Sequence, residues 1–148
     1  NQDILSRFDA NGIAADRVSM LSAYDSLHNH LANYHQADIA LDTFPFAGAT
    51  TTFQALWMGL PVISLMGDRF IGRAGGSIST IAGLDDLVAD TPQDFVDIAV
   101  ALAGDKDRLK DLRATLRDRI NQSPICDAPG YTATMEQAYL TVWKTATE

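Results

Sequence analysis

The segment Asp42-Thr43-Phe44-Pro45-Phe46-Ala47-Gly48-Ala49-Thr50-Thr51-Thr52 carries the densest candidate chemistry in the sequence. The apolar run Ile39-Ala40-Leu41 precedes it and a helix-forming run follows, so it joins a buried strand to a helix N-terminus. Such a junction suits an anion. Gly48 permits backbone geometries closed to other residues, first-turn N–H groups lack intrahelical partners, and the hydroxyls of Thr50, Thr51 and Thr52 stand where oxygen ligands would arrive. A diphosphate can be held there without lysine. The plainer alternative is that Thr50 caps the helix while Thr51 and Thr52 merely occupy its first turn, because Ser and Thr favour N-caps.

Other chemistries lack their residues. The three lysines, Lys106, Lys110 and Lys144, all lie in the last third of the chain, so no Walker A loop can form earlier. No lysine falls on a predicted strand to pair with Asp42 in a receiver-type site. His28, His30 and His35 do not share a helix face as a ligand set would, and no carboxylate-rich cluster accompanies them, so no metal is expected. Asp42 at a strand end is suited to orienting the threonine loop through hydrogen bonds. Arg73 either faces a bound phosphate or braces the domain. Cys126 has no base near it in sequence and is expected to be structural.

The elements that must position these residues alternate. A helix ends near Asn11, closed by Gly12, and Arg17 to Leu21 is a predicted short strand. Ser26 to Tyr34 is helical, with Leu27, Leu31 and Tyr34 on one face. Ile39 to Leu41 is predicted as a strand buried on both faces, 50–58 as a helix closed by Gly59, and Val62 to Leu65 as another buried strand. A helix from about Gly72 to Ile81 is weakened by Gly75-Gly76. Thr91-Pro92-Gln93-Asp94 is a strong helix start. Next come a helix from about Asp105, with Leu109, Leu112, Leu116 and Ile120 in its stripe and its arginines mostly toward solvent, and a last one from about Tyr131 burying Met135, Tyr139 and Val142 or Trp143. Trp57 and Met58 are expected in the core.

Strands alternating with helices imply a parallel α/β sheet, whose ligands bind outside the strands' carboxyl ends. The 148 residues suffice for one core, 1–148, and contain no linker-like or repeated stretch. A doubly wound sheet opens with a strand, so the sheet is expected to lack its first one here. The Asn1-Gln2-Asp3-Ile4 start, without Met or a signal-peptide pattern, is expected of a fragment of a longer chain. A net charge of −8 opposes attraction to nucleic acid or an anionic membrane, and no apolar run is long enough to span a bilayer.

The stretch Ala37 to Pro45, then Gly48, Thr50-Thr51-Thr52, and Ala55-Leu56-Trp57-Met58-Gly59-Leu60-Pro61-Val62, resembles the signature of the O-GlcNAc transferase and SPINDLY family of glycosyltransferases. The similarity continues through Gly67-Asp68-Arg69, Gly72-Arg73, Ser77, Ser123-Pro124-Ile125-Cys126-Asp127 and Tyr139-Leu140 with Trp143. It covers nearly the whole chain. The resemblance implies a Rossmann-like second half of a two-domain GT-B fold, with a nucleotide-sugar donor held by Gly48, Thr50, Thr51, Thr52 and Arg73 at its diphosphate. It also implies that His30 packs on the nucleobase and that Gln54 meets the ribose, where family members usually carry an acid. Ala49 departs from the histidine of O-GlcNAc transferases.

The function so implied is an inverting, metal-independent, cytoplasmic protein O-glycosyltransferase that uses UDP-GlcNAc on Ser or Thr of an acceptor protein. No cofactor is expected. General base and acceptor cleft are expected in an N-terminal catalytic region, with tetratricopeptide repeats before it, leaving the isolated chain inactive. The alternatives are an O-fucosyltransferase using GDP-fucose and a noncatalytic interaction module that retains the fold.

Overall fold

A computed structural model describes residues 2–21 and 26–147. Contacts divide the chain into two compact units, 1–30 and 31–148.

The first unit opens with α1 (Gln2–Ala10), which carries an i,i+4 pair between Arg7 and Asp3. Gly12, at φ +76, closes it: Asn11 and Ile13 both donate their N–H to the Phe8 carbonyl, and Gly12 donates to Asp9. The left-handed residue lets the last carbonyls find donors without a Cβ clash. The predicted strand from Arg17 to Leu21 does not form. Residues Ala15–Arg17 make a 3-10 turn, and although Val18 is extended (φ −115, ψ 112), the segment after it pairs with no strand among the described residues. Extended propensity alone does not make a strand, because the ladder bonds come from a neighbour. The start of α2 (Leu27–Asn33) completes this unit.

The second unit is an α/β layer structure. Its strands β1 (Ala40–Leu41), β2 (Val62–Leu65) and β3 (Val88–Ala89) form a parallel sheet in the order β1-β2-β3. Ala40 aligns with Val62 and Leu41 with Ile63; on the other side of β2, Ser64 aligns with Val88 and Leu65 with Ala89. Helices α3 (Thr50–Trp57) and α4 (Ala74–Ile81) connect the strands, and α5 (Pro92–Gly104), α6 (Lys106–Gln122) and α7 (Ala128–Thr147) follow. The central strand is buried through Ser64 and sits in a core with Leu56, Leu84, Leu87, Leu116 and Ile120. β1 differs from expectation. Among the described residues it pairs on one side only, and Leu41 is 57% exposed where the chain leaves the sheet.

Local signals explain most helix limits. Gly59, at φ +80, ends α3, and a Cβ there would lie 2.8 Å from the Arg113 carbonyl of α6, so both turn and packing require glycine. Thr91 and Asp94 form a complete capping box at the start of α5. The α6 stripe buries Leu112, Leu116 and Ile120. Its four arginines are not simply solvated: Arg108 pairs with Asp86 and Arg119 with Asp111, Arg113 donates to the Ala37 carbonyl and pairs with Asp38, and Arg117 Nε donates to the Trp57 carbonyl at 2.9 Å. Trp57 and Met58 are consequently half-buried rather than core, with the Trp57 ring stacked on Phe53 and under the Arg117 guanidinium.

The last helix corrects another expectation. α7 has no fully buried residue: Met135 is half-buried, while Tyr139, Val142 and Trp143 are exposed, and the helix packs on the Pro124–Cys126 turn that precedes it.

α4 begins at Ala74, after a 3-10 turn at Phe70–Gly72, and its glycines owe their place to packing. A Cβ on Gly75 would sit 2.0 Å from Asp42 Oδ2 and 2.9 Å from Ser64 Oγ; one on Gly76 would meet the Met66 side chain at 2.8 Å. The lost helix propensity, about 1 kcal/mol per glycine, is outweighed by this close approach of helix to sheet. Gly75→Ala is therefore expected to destabilise the protein by about 1–3 kcal/mol in urea unfolding, the usual cost of overpacking. Gly104→Ala, whose Cβ would meet nothing within 4 Å, serves as the control and is expected to be neutral or slightly stabilising.

Candidate nucleotide-binding site

The site is built where β1 ends. Asp42 N–H still donates to the Ile63 carbonyl at 2.9 Å, so the residue's backbone belongs to the sheet ladder while its side chain turns into the loop. Asp42 Oδ1 accepts from the N–H of Thr43 at 2.9 Å and of Gly48 at 2.7 Å, and Oδ2 accepts from Ser64 Oγ at 2.9 Å. One half-buried carboxylate thus ties the loop's two ends to the central strand. Hydrogen bonds to an ionised acceptor are shorter and stronger than neutral ones, which suits a loop with few other internal bonds. Within the loop, Thr43 Oγ1 donates to the Phe46 carbonyl at 2.6 Å, and buried Ala47 donates its N–H to Ile71 at 3.0 Å.

Gly48 is not among the left-handed glycines. Its reason is proximity: a Cβ would lie 2.6 Å from Thr52 Oγ1, 2.8 Å from Thr51 Oγ1 and 3.2 Å from Asp42 Oδ1. The chain then enters α3 with Ala49 at the N-cap and no side-chain cap bond. The capping role considered for Thr50 is thereby excluded, since Thr50 is the first helical residue. Thr50 and Thr51 are exposed, whereas Thr52 is buried with its hydroxyl toward Gly48. The first-turn N–H groups of α3 therefore stand without a side-chain cap beside two exposed hydroxyls. That combination of donors and helix dipole is complementary to negative charge.

Gln54 lies one turn further on, half-buried, with the Tyr34 hydroxyl donating to its Oε1 at 3.4 Å. Arg73 is the N-terminal flank of α4; it is exposed and its guanidinium donates to the Gly67 carbonyl at 3.0 Å, which braces the loop after β2. His30 belongs to the first unit and donates its N–H to Ser26 within α2. Asp42, Gly48 and the threonines are thus brought together, with Gln54 on the same helix. A cavity of roughly 610 Å3 opens between Phe44, Phe46, Met66, Arg69 and Ile71, sharing the Phe44–Phe46 loop, but its lining stops short of Gly48 and the threonines.

Two contributors were not singled out by sequence reasoning. Ser64 holds Asp42 from the central strand, and Gly75 leaves room for that carboxylate; only their proximity in the fold reveals them. Among the described residues, no three His, Cys, Asp or Glu side chains converge as a metal site would require, and no helix is long and apolar enough to cross a membrane.

This architecture is matched by known proteins. Residues 1–135 match the profile of Glycosyl transferase family 41. The chain belongs to that family. It is 39% identical over 142 residues to the Hordeum vulgare protein named "Probable UDP-N-acetylglucosamine--peptide N-acetylglucosaminyltransferase SPINDLY", covering 96% of this chain and 15% of the relative. A Caenorhabditis elegans UDP-N-acetylglucosamine--peptide N-acetylglucosaminyltransferase is 33% identical over 133 residues, 90% of this chain and 12% of that protein. The structure of a Thermobaculum terrenum O-GlcNAc transferase mutant superposes with a TM-score of 0.88 at 37% identity, covering 98% of this chain and 28% of the other. The chain therefore spans about one-seventh of the length of the curated plant relative.

Removing the carboxylate that organises the site should be costly. Asp42→Ala is expected to lower stability in urea unfolding by about 2–3 kcal/mol, because it strands two N–H groups and the Ser64 hydroxyl, and Ser64→Ala by only about 1 kcal/mol. Equal effects of the two would contradict the central role of Asp42.

Proposed function

We propose that this chain forms the donor-binding part of an inverting, metal-independent, cytoplasmic protein O-glycosyltransferase, with UDP-GlcNAc as donor and Ser or Thr of a protein as acceptor. Membership in family 41 supports glycosyl transfer, and the names of the relatives support the donor and a peptide acceptor. The observation that carries the reading is the start of α3, an uncapped helix N-terminus presented with the Thr50 and Thr51 hydroxyls on a loop anchored by Asp42.

The proposed chemistry follows from charge. When the sugar leaves, negative charge grows on the diphosphate, and N–H groups fixed at a helix start stabilise it without reorganising. Preorganised donors acting on the leaving group are what a metal ion would otherwise supply, so no cofactor is invoked. Thr52 serves this site from within, holding the turn at Gly48, while Arg73 lends positive charge from the flank of α4. Gln54 meets the ribose, and the nucleobase contact assigned to His30 belongs to the same proposal. The general base and acceptor cleft are assigned to an N-terminal catalytic region of the same longer protein, preceded by tetratricopeptide repeats.

Calorimetric titration with UDP, UDP-GlcNAc and GDP-fucose, on the longer protein and on the 148 residues side by side, tests this reading. Binding of UDP and UDP-GlcNAc is expected. Gly48→Ala is expected to weaken it about tenfold, or 1.4 kcal/mol, by displacing the Thr51 and Thr52 hydroxyls. Binding of GDP-fucose alone would move the protein to O-fucosyl transfer, and binding of none of the three would make it a noncatalytic module. Glycosyl transfer by the 148 residues alone would overturn the placement of the base elsewhere.

A further inference from the structure

α6 carries a line of positive charge that the donor site does not use. Lys106, Lys110, Arg113 and Arg117 recur at i, i+4, i+7 and i+11, which is one face of a helix. The first three line a cavity of about 430 Å3 with Leu109 and Asp38, and Arg113 and Arg117 line a second, of about 340 Å3, with Trp57, Met58 and Asp118. Both cavities touch Arg113, so they are successive parts of one groove along the helix. Carboxylates do not cancel its charge. Asp38 pairs with Arg113, whereas Lys106, Lys110 and Arg117 have no carboxylate within ion-pair distance among the described residues. Arg117 is held at the groove's end by its bond to the Trp57 carbonyl and by the Trp57 ring beneath it. Four cations thus stand against the carboxylates of Asp38 and Asp118, in a chain whose net charge is −8.

We propose that this groove docks an extended acidic segment of a partner protein. Its place in the fold separates it from the donor site: Asp38 precedes β1 and Gly59 precedes β2, so the groove lies at the amino ends of the parallel strands, while the Gly48 to Thr52 segment lies beyond the carboxyl end of β1. An α-helix rises about 1.5 Å per residue, which sets Lys106 and Lys110 about 6 Å apart along the axis and gives the whole line a length of about 16 Å. An extended chain advances about 3.3 Å per residue, so carboxylates on every second residue recur at about 6.7 Å and stay in step with the cations for roughly five residues. An apolar side chain at one end of the segment meets the half-buried Trp57 and Met58. A lipid surface would touch the lysine tips alone, whereas peptide side chains reach the floor that Leu109, Trp57 and Met58 form, and that difference selects a peptide. Charge complementarity of this kind speeds encounter and sets the choice of partner.

Fluorescence anisotropy on the longer protein tests this with two labelled hexapeptides, one with glutamate at every second position and leucine at one end, the other with glutamine in place of each glutamate. Wild type is expected to bind the glutamate peptide about tenfold more tightly, a preference that shrinks as salt is raised. The double variant Lys106→Gln, Lys110→Gln changes two exposed side chains and is expected to fold as wild type. It should bind the glutamate peptide about tenfold more weakly, within what two exposed ion pairs contribute, and the glutamine peptide unchanged. Equal binding of the two peptides, binding of neither, or undiminished binding by the double variant overturns the proposal. Phosphatidylserine vesicles are titrated in parallel. Capture by vesicles that the double variant loses, without binding of the glutamate peptide, overturns it in favour of a membrane.

Discussion

The carboxylate of Asp42 is the constraint on which the site depends. It stands at the last rung of β1, and from there holds the N–H groups of Thr43 and Gly48 and the hydroxyl of Ser64. Each partner comes from a different piece of the fold: the loop's beginning, its end, and the central strand. Because a half-buried acceptor with three donors has few alternative geometries, the loop is delivered to α3 in one conformation. Remove the anchor and the exposed threonines lose their position, although the helix that carries them remains.

That anchor also dictates the packing behind it. α4 approaches so closely that Gly75 must have no side chain, and the helix accepts a poor local propensity for the sake of contact with the sheet. The Arg73 bond to Gly67 braces the loop after β2 internally, and the Ala47 N–H to Ile71 bond ties that loop to the first one. Two loops at the carboxyl ends of adjacent parallel strands are thus fastened together. This is the place where α/β sheets commonly hold ligands, and the backbone N–H groups there provide positive potential that the sequence, with a net charge of −8, does not supply elsewhere in bulk.

Several of these features were legible in the sequence because they are local. Val62 to Leu65 is apolar but for Ser64, since both faces of the strand are covered, Thr91-Pro92 and Asp94 spell a cap, and Gly59 marks a left-handed turn. The orienting role of Asp42 followed from its place at a strand end. What could not be read depended on partners distant in sequence. Val18 has strand propensity without a pairing neighbour among the described residues, and the α7 stripe says that a face is apolar but not what covers it. Ala49 rather than Thr50 holds the N-cap, because the tight approach of Gly48 to Thr51 and Thr52 sets where the helix begins. Gly75-Gly76 is a weakness of helix propensity that the packing requires: Gly75 clears the Asp42 carboxylate, far away in sequence, and Gly76 clears the Met66 side chain. The role of Ser64 was hidden in an otherwise apolar strand for the same reason.

The central claim is that the diphosphate of a nucleotide sugar binds at the start of α3 on the loop that Asp42 holds. A crystal structure of the longer protein with bound UDP tests it most directly. The account predicts phosphate oxygens about 3 Å from backbone N–H groups in the Gly48–Thr52 segment and from the Thr50 or Thr51 hydroxyl. A diphosphate bound away from that segment, with the α3 N–H groups facing only solvent, would contradict it.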